Sequence, residues 1–197
     1  KDVTVTGGTV SNTGDGSAIA TTTGTVTVSG DGTVTSKGAN TATITDVGKA
    51  VEVTGGTVEN TGGGSAVSKV YGGVIVSGGT VSSDSTTGTI TDVKGGGVVV
   101  KNTGTVKNTG TGSAISDVIG GISVTGGTVA SSGDAATIDN ANGTGDVRIS
   151  GGSVSNTGAG SAVKDISGSV YITSGDVSNN GASATIDGTT VNGNIEG

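Results

Sequence analysis

Asn12-Thr13-Gly14-Asp15-Gly16-Ser17-Ala18 is the stretch on which the fold turns, because it returns three more times. Copies of the form Asn-Thr-Gly-x-Gly-Ser-Ala begin at Asn60, Asn108 and Asn156, each 48 residues after the last. Self-similarity at a fixed period is the mark of a repeat architecture. A second, looser copy lies inside each 48, so the structural unit is about 24 residues. Its apolar start recurs at Val3, Val26, Val51, Val74, Val98, Ile122, Val147 and Val170, and Ile195 opens a ninth turn.

Around the quoted string, each unit contains three short pieces that read as strands. The first is an alternation such as Val3-Thr4-Val5 or Val147-Arg148-Ile149, and the second is Thr-Val-x, as in Thr57-Val58-Glu59. The third surrounds Ile19, Ile44, Val67, Ile90, Ile115, Ile138, Val163 and Ile186. Period-two alternation places the Val and Ile residues on one side and their neighbours on the other. Strands this short have too few inward residues to form hairpins. They bury those residues if the chain coils and each strand pairs, parallel and in register, with its equivalent one turn later. The expectation is therefore an all-β chain: a single-stranded parallel β-helix, or β-solenoid, of about eight coils with three strands each. At about 4.8 Å per coil the stack is roughly 38 Å long. A coil of about 24 residues suits a right-handed β-helix better than the shorter left-handed hexapeptide type.

Composition agrees with this reading. The 197 residues include 42 Gly, and Pro, Cys, Met, Trp, Phe and His are absent. The apolar residues are nearly all Val, Ile and Ala, which suits thin, repeated core layers, and Val, Ile and Thr favour strands. The residue before each third-strand Ile or Val runs Ala18, Thr43, Ala66, Thr89, Ala114, Thr137, Ala162, Thr185. This alternation makes a pair of coils the unit. It serves either packing within the stack or an outer surface repeating every second coil.

Several function classes fall away. Net charge is −7, with eight acids against Arg148 and Lys164 alone after Lys107, the reverse of the basic, aromatic surface that nucleic acids require. No apolar run is long enough to insert into a membrane. Without Cys there is no disulfide or thiolate metal site. With one Arg and no His, and with the 16 acids spread along the chain at about two per coil, no catalytic residues, cofactor or metal ligands are assigned. Asp46, Asp92, Asp117, Asn140 and Asp165 share one position after the third strand, where an Asp ladder for calcium competes with a turn role, and the turn role is favoured. Tyr71 and Tyr171 occupy different positions in their coils, so they form no strip for stacking sugars.

The candidate binding surface is the outward rank Thr9, Thr33, Thr57, Thr80, Thr105 and Thr128, continued by Ser153 and Asp176. Beside it runs Ser11, Thr35, Glu59, Ser82, Lys107, Ala130, Ser155 and Ser178. A flat Thr array suits ice binding, although Glu59 and Lys107 interrupt its companion rank, and Thr is also simply a good exposed strand residue.

The segments Val53-Thr54-Gly55-Gly56-Thr57-Val58 and Val124-Thr125-Gly126-Gly127-Thr128-Val129 resemble the β-helical repeats of bacterial surface adhesins: autotransporter passengers, filamentous-haemagglutinin-like proteins and cell-wall-attached repeat proteins. The resemblance implies a right-handed β-helix, secretion to the cell surface, and a part in attachment or cell–cell association. The partners it suggests are host or cell-surface glycans, or the rod itself stacked end to end. No polar cap is visible at Lys1 or at Ile195-Glu196-Gly197, so residues 1–197 are expected to be one solenoid cut from a longer array. A non-enzymatic structural or adhesive role is the leading expectation, with ice binding as the alternative and a glycan-active β-helix enzyme third.

Overall fold

The computed structural model describes residues 1–140 and 144–188 together with the backbone of the strand Ile195–Glu196; Gly197 lies outside the described residues. The chain is all-β, and every strand pairing is parallel. It forms a β-solenoid of eight coils, the first starting at Val3 and the eighth at Val170. Equivalent residues stack as the period requires: Val3 on Val26, Val26 on Val51, and so on to Val147 on Val170 and Val170 on Ile195.

Three faces were expected to be three separate strands, and in five coils they are two. The first and second faces run on as single ten-residue strands, Val51–Asn60, Val74–Ser83, Ile122–Ser131, Val147–Asn156 and Val170–Asn179. Pairing continues through the bend, for instance Thr54 on Gly78, because the second Gly of each Gly-Gly corner turns with positive φ (+68° at Gly56). Coils 2 and 5 carry one more residue here, and Gly32 N donates to Ser29 O and Gly104 N to Lys101 O, both at 3.0 Å, which closes a β-turn and breaks the strand.

The core is a set of stacked ranks. In the inner coils the inward residues of all three faces, such as Val26, Val28, Val34 and Ile44, are fully buried. Each contributes about 1.5–3 kcal/mol by leaving water. A further inward rank closes the third face: Thr22, Val47 and Val70, the last residues of their strands, then Val93, Val118 and Ile166. The residue before it swings the chain round the third corner in left-handed geometry, with φ between +52° and +57° at Thr21, Asp46, Lys69, Asp92, Asp117 and Asp165. Asp and Asn tolerate this geometry best among side-chain-bearing residues, so the Asp rank is a set of corner residues. Asn140 at the same position is buried, accepting from Val118 N at 2.7 Å and donating to Val118 O at 3.1 Å. Thr21 is the β-branched exception. Thr21→Asn should raise stability by about 1 kcal/mol, checked by denaturant unfolding.

The Ala/Thr alternation faces inward and has a second half. At the end of the second face, odd coils carry Asn12, Asn60, Asn108 and Asn156, while coils 2, 4 and 6 carry Ser36, Ser83 and Ser131. In coils 1 to 7 Asn goes with Ala and Ser goes with Thr; coil 8 combines Asn179 with Thr185. In coils 2, 4 and 6 the two hydroxyls bond to each other: Ser36 with Thr43 at 2.7 Å, Ser83 with Thr89 at 2.7 Å, Ser131 with Thr137 at 2.6 Å. Each Thr also donates to a carbonyl of the next coil, Glu59, Lys107 or Ser155, at 2.8–3.0 Å. The Ser hydroxyl is therefore the donor within each pair.

In odd coils the Asn side chain fills the space instead, over the smaller Ala. Its Oδ1 accepts from the amide two residues on, Gly14, Gly62, Gly110 or Gly158, at 2.7–2.8 Å. Its Nδ2 donates to carbonyls across the turn, as Asn108 does to Ser113 at 2.8 Å. This explains the quoted string: Asn closes an Asx turn, and a Cβ at Gly62 or Gly64 would run into the backbone of Lys37 or Thr41 in the coil before.

Candidate functional site

The second face presents its outward residues as two straight ranks. Thr9 stacks on Thr33, Thr33 on Thr57, Thr57 on Thr80, Thr80 on Thr105 and Thr105 on Thr128, and the rank continues through Ser153 to Asp176. All six threonines predicted from the sequence thus come together in one ladder. Thr9 is exposed and the other five are half-buried, held by strands whose intervening Val side chains point into the core. The companion rank runs in register beside it, from Ser11 on Thr35 to Ser155 on Ser178. Steps of about 4.8 Å along each rank and about 6.8 Å between ranks make a regular mesh of hydroxyls and methyls.

That mesh is interrupted in its middle. Glu59 and Lys107 stand either side of Ser82, whose hydroxyl donates to Glu59 Oε1 at 3.5 Å. Together with Thr80 and Asp84 they line a shallow cleft of about 310 Å³. No protein-family model, no curated protein and no solved structure matches the chain. What the surface does must therefore be read from its own geometry.

Among the described residues no group of three or more acidic or other metal-ligating side chains is close enough to hold an ion. The Asp rank is broken by Lys69 in coil 3, and Asp92 is ion-paired to Lys94. The two tyrosines stand apart, as their coil positions predicted. Tyr171 lies on the first face under the guanidinium of Arg148, 4.1 Å from the ring centre, and Tyr71 projects from the third corner.

Arg148 belongs to a small outward charge cluster on the first face. Asp146 accepts from the Ser169 amide at 2.9 Å and from Arg148 at 2.8 Å. The amide first, and then the guanidinium, hold the Asp146 carboxyl below its ordinary value. A lowered carboxyl favours the fold above the unfolded pKa, and that benefit is lost as pH falls through the lowered value. Asp146→Asn cannot titrate. The wild-type advantage over it at neutral pH should shrink as pH falls below the ordinary carboxylate value of about 4 and be lost once the folded carboxyl is protonated, in urea unfolding repeated across the acid range.

Proposed function

We propose that this chain is a non-enzymatic structural and adhesive module: a rod or stalk of an extracellular or cell-surface bacterial protein, with weak affinity for glycans or for itself. The observation that carries the reading is the uninterrupted ladder from Thr9 to Thr128, which repeats one shallow surface instead of building one deep site. A surface of this kind engages partners by avidity, many weak contacts along a line. The likeness of its Gly-Gly-Thr-Val segments to adhesin repeats points the same way.

Beads coated densely with the chain should cluster or adhere to glycan-coated surfaces, while soluble chain competes weakly. Inert beads, or product released from a polysaccharide panel, would rule the proposal out. The unbroken Thr register also favours a second reading, ice binding, in which the methyl and hydroxyl mesh orders water. Thermal hysteresis abolished by Thr57→Lys with Thr80→Glu would establish it, and its absence at high concentration would remove it.

A further inference from the structure

The repeat is also broken on the outside of the rod at the third corner. At the residue that follows the inward rank of the third corner, coils 1, 2 and 7 carry Thr23, Gly48 and Ser167. Coils 3, 4 and 5 carry Tyr71, Lys94 and Ile119 instead. Their amides donate to the inward-rank carbonyl of the coil before, Val47, Val70 and Val93, at 2.7–2.9 Å, so the three side chains stand in one rank. Tyr71 and Ile119, 57% and 43% exposed, are the large apolar side chains that the described surface leaves in water. Scattered single apolar residues are ordinary, but these two share one rank on either side of one lysine.

The neighbouring rank departs from the repeat as well. Lys69 occupies the left-handed corner position, φ +53°, where coils 2, 4, 5 and 7 have Asp. Across coils 3, 4 and 5 the corner therefore reads, coil by coil, Lys69 with Tyr71, Asp92 with Lys94, and Asp117 with Ile119. A cleft of about 240 Å³ lies between Asp92, Lys94, Asp117 and Ile119.

We infer that this corner docks a second copy of the chain, side by side and antiparallel, about a two-fold axis that crosses the rods at coil 4. Such an axis reverses the order of coils and leaves each rank facing itself. Coil 3 then meets coil 5 of the second copy. Tyr71 packs on Ile119, and Lys69 faces Asp117, apolar on apolar and cation on anion. At the axis Asp92 meets Asp92 and Lys94 meets Lys94, a like-charge cost that the Lys94–Asp92 ion pair within each copy offsets. A two-fold contact must be self-complementary, and the antiparallel one matches the coils on either side of the axis, whereas the parallel alternative sets Lys69 against Tyr71 and Asp117 against Ile119 and matches only Asp92 with Lys94. One corner buries less than a standard interface, so the dissociation constant should be on the order of 0.1–1 mM, suited to many rods aligned on a surface.

The inference sharpens the self-association in the proposed function but requires only the stack itself. Sedimentation equilibrium up to ~1 mM chain should show a monomer–dimer equilibrium in that range. Lys69→Asp, an Asp on a corner that accepts Asp in four other coils, should weaken it about tenfold, and adding Asp117→Lys should restore it to within about threefold. The chain has no cysteine, which makes cross-linking clean. Tyr71→Cys mixed with Ile119→Cys should form a disulfide-linked dimer. Tyr71→Cys alone should not, because its two copies sit two coils, about 9.6 Å, apart, beyond disulfide reach. A monomer at every concentration, cross-linking by Tyr71→Cys alone, or no rescue by the charge swap would overturn the pairing. A chain that is monomeric and yet adheres through its ladder would leave the adhesive reading intact and mean that the corner serves another partner.

Discussion

Asn60→Ala should cost about 3 kcal/mol, because it strips partners from a closed polar corner. The Asn60 side chain is fully buried and satisfied on both sides: Ser36 Oγ, Gly38 O and Thr41 O lie 3.0–3.1 Å from Nδ2 and share its two protons, and Oδ1 accepts from Gly62 N at 2.8 Å. Water cannot replace them in so narrow a core. The pairing of Asn with Ala and Ser with Thr makes a sharper test. Asn60→Ser alone leaves space and loose polar groups. Ala66→Thr alone forces a hydroxyl and a methyl against Asn60 in the fully buried inner stack, at about 1–3 kcal/mol, whereas the less buried coil 8 accommodates Asn179 with Thr185. The double variant rebuilds the Ser36–Thr43 arrangement seen one coil earlier, where the hydroxyls bond at 2.7 Å. It should recover about 1–2 kcal/mol beyond the sum of the singles in a double-mutant cycle of denaturant unfolding. Strict additivity would mean that the alternation has no energetic coupling behind it.

The other large effect lies at the corner between the first two faces. Gly56→Ala should lose more than about 3 kcal/mol, as left-handed strain and steric overlap add. Gly56 turns at φ +68°, and a Cβ there would run into the carbonyl and amide of Gly32 in the coil before. The overlap cannot be relieved by a rotamer change, since both sides are backbone. Because each coil contacts only its neighbours, damage here should separate the stack on either side and turn one unfolding transition into two. Asn102 supplies the control. It holds φ +52° at the corner of coil 5, where the extra residue opens the turn. Asn102→Gly should therefore be nearly neutral. Gly56→Asn should remain costly despite a side chain that suits the angle, since the neighbouring backbone still stands in the way. Thermal and urea melts of the three variants separate backbone angle from packing.

Much of this architecture was legible beforehand for one physical reason. In a parallel, in-register stack, a residue's neighbour across the ladder is its own equivalent one period away, so sequence period and spatial contact coincide. The pairs Val3 with Val26 and Thr57 with Thr80 could be written down before any coordinates. The Thr ladder followed in the same way, as did the separation of Tyr71 from Tyr171. Corners were less readable. At the Asn-Thr-Gly turn and at Asp46 the chain leaves the extended state, alternation stops telling inside from outside, and Thr43 and Val47 could not be assigned a side. The partner of Thr43, Ser36, sits seven residues away across such a turn, so the two halves of one alternation looked unrelated. Tyr71 and Ile119 were missed as a pair because one was weighed only as an aromatic and the other not at all.

By itself, then, the sequence determined the coil length, the parallel register and the ranks of Val, Ile and Thr, since each depends only on a residue matching its own equivalent. The tertiary structure decided what lies around the bends: which way the Ala/Thr positions point, that two faces join through Gly-Gly, and that Tyr71, Lys94 and Ile119 form one outward rank. Those outcomes depend on left-handed corners and on backbone from the adjacent coil, and both exist only once the chain has closed its turns.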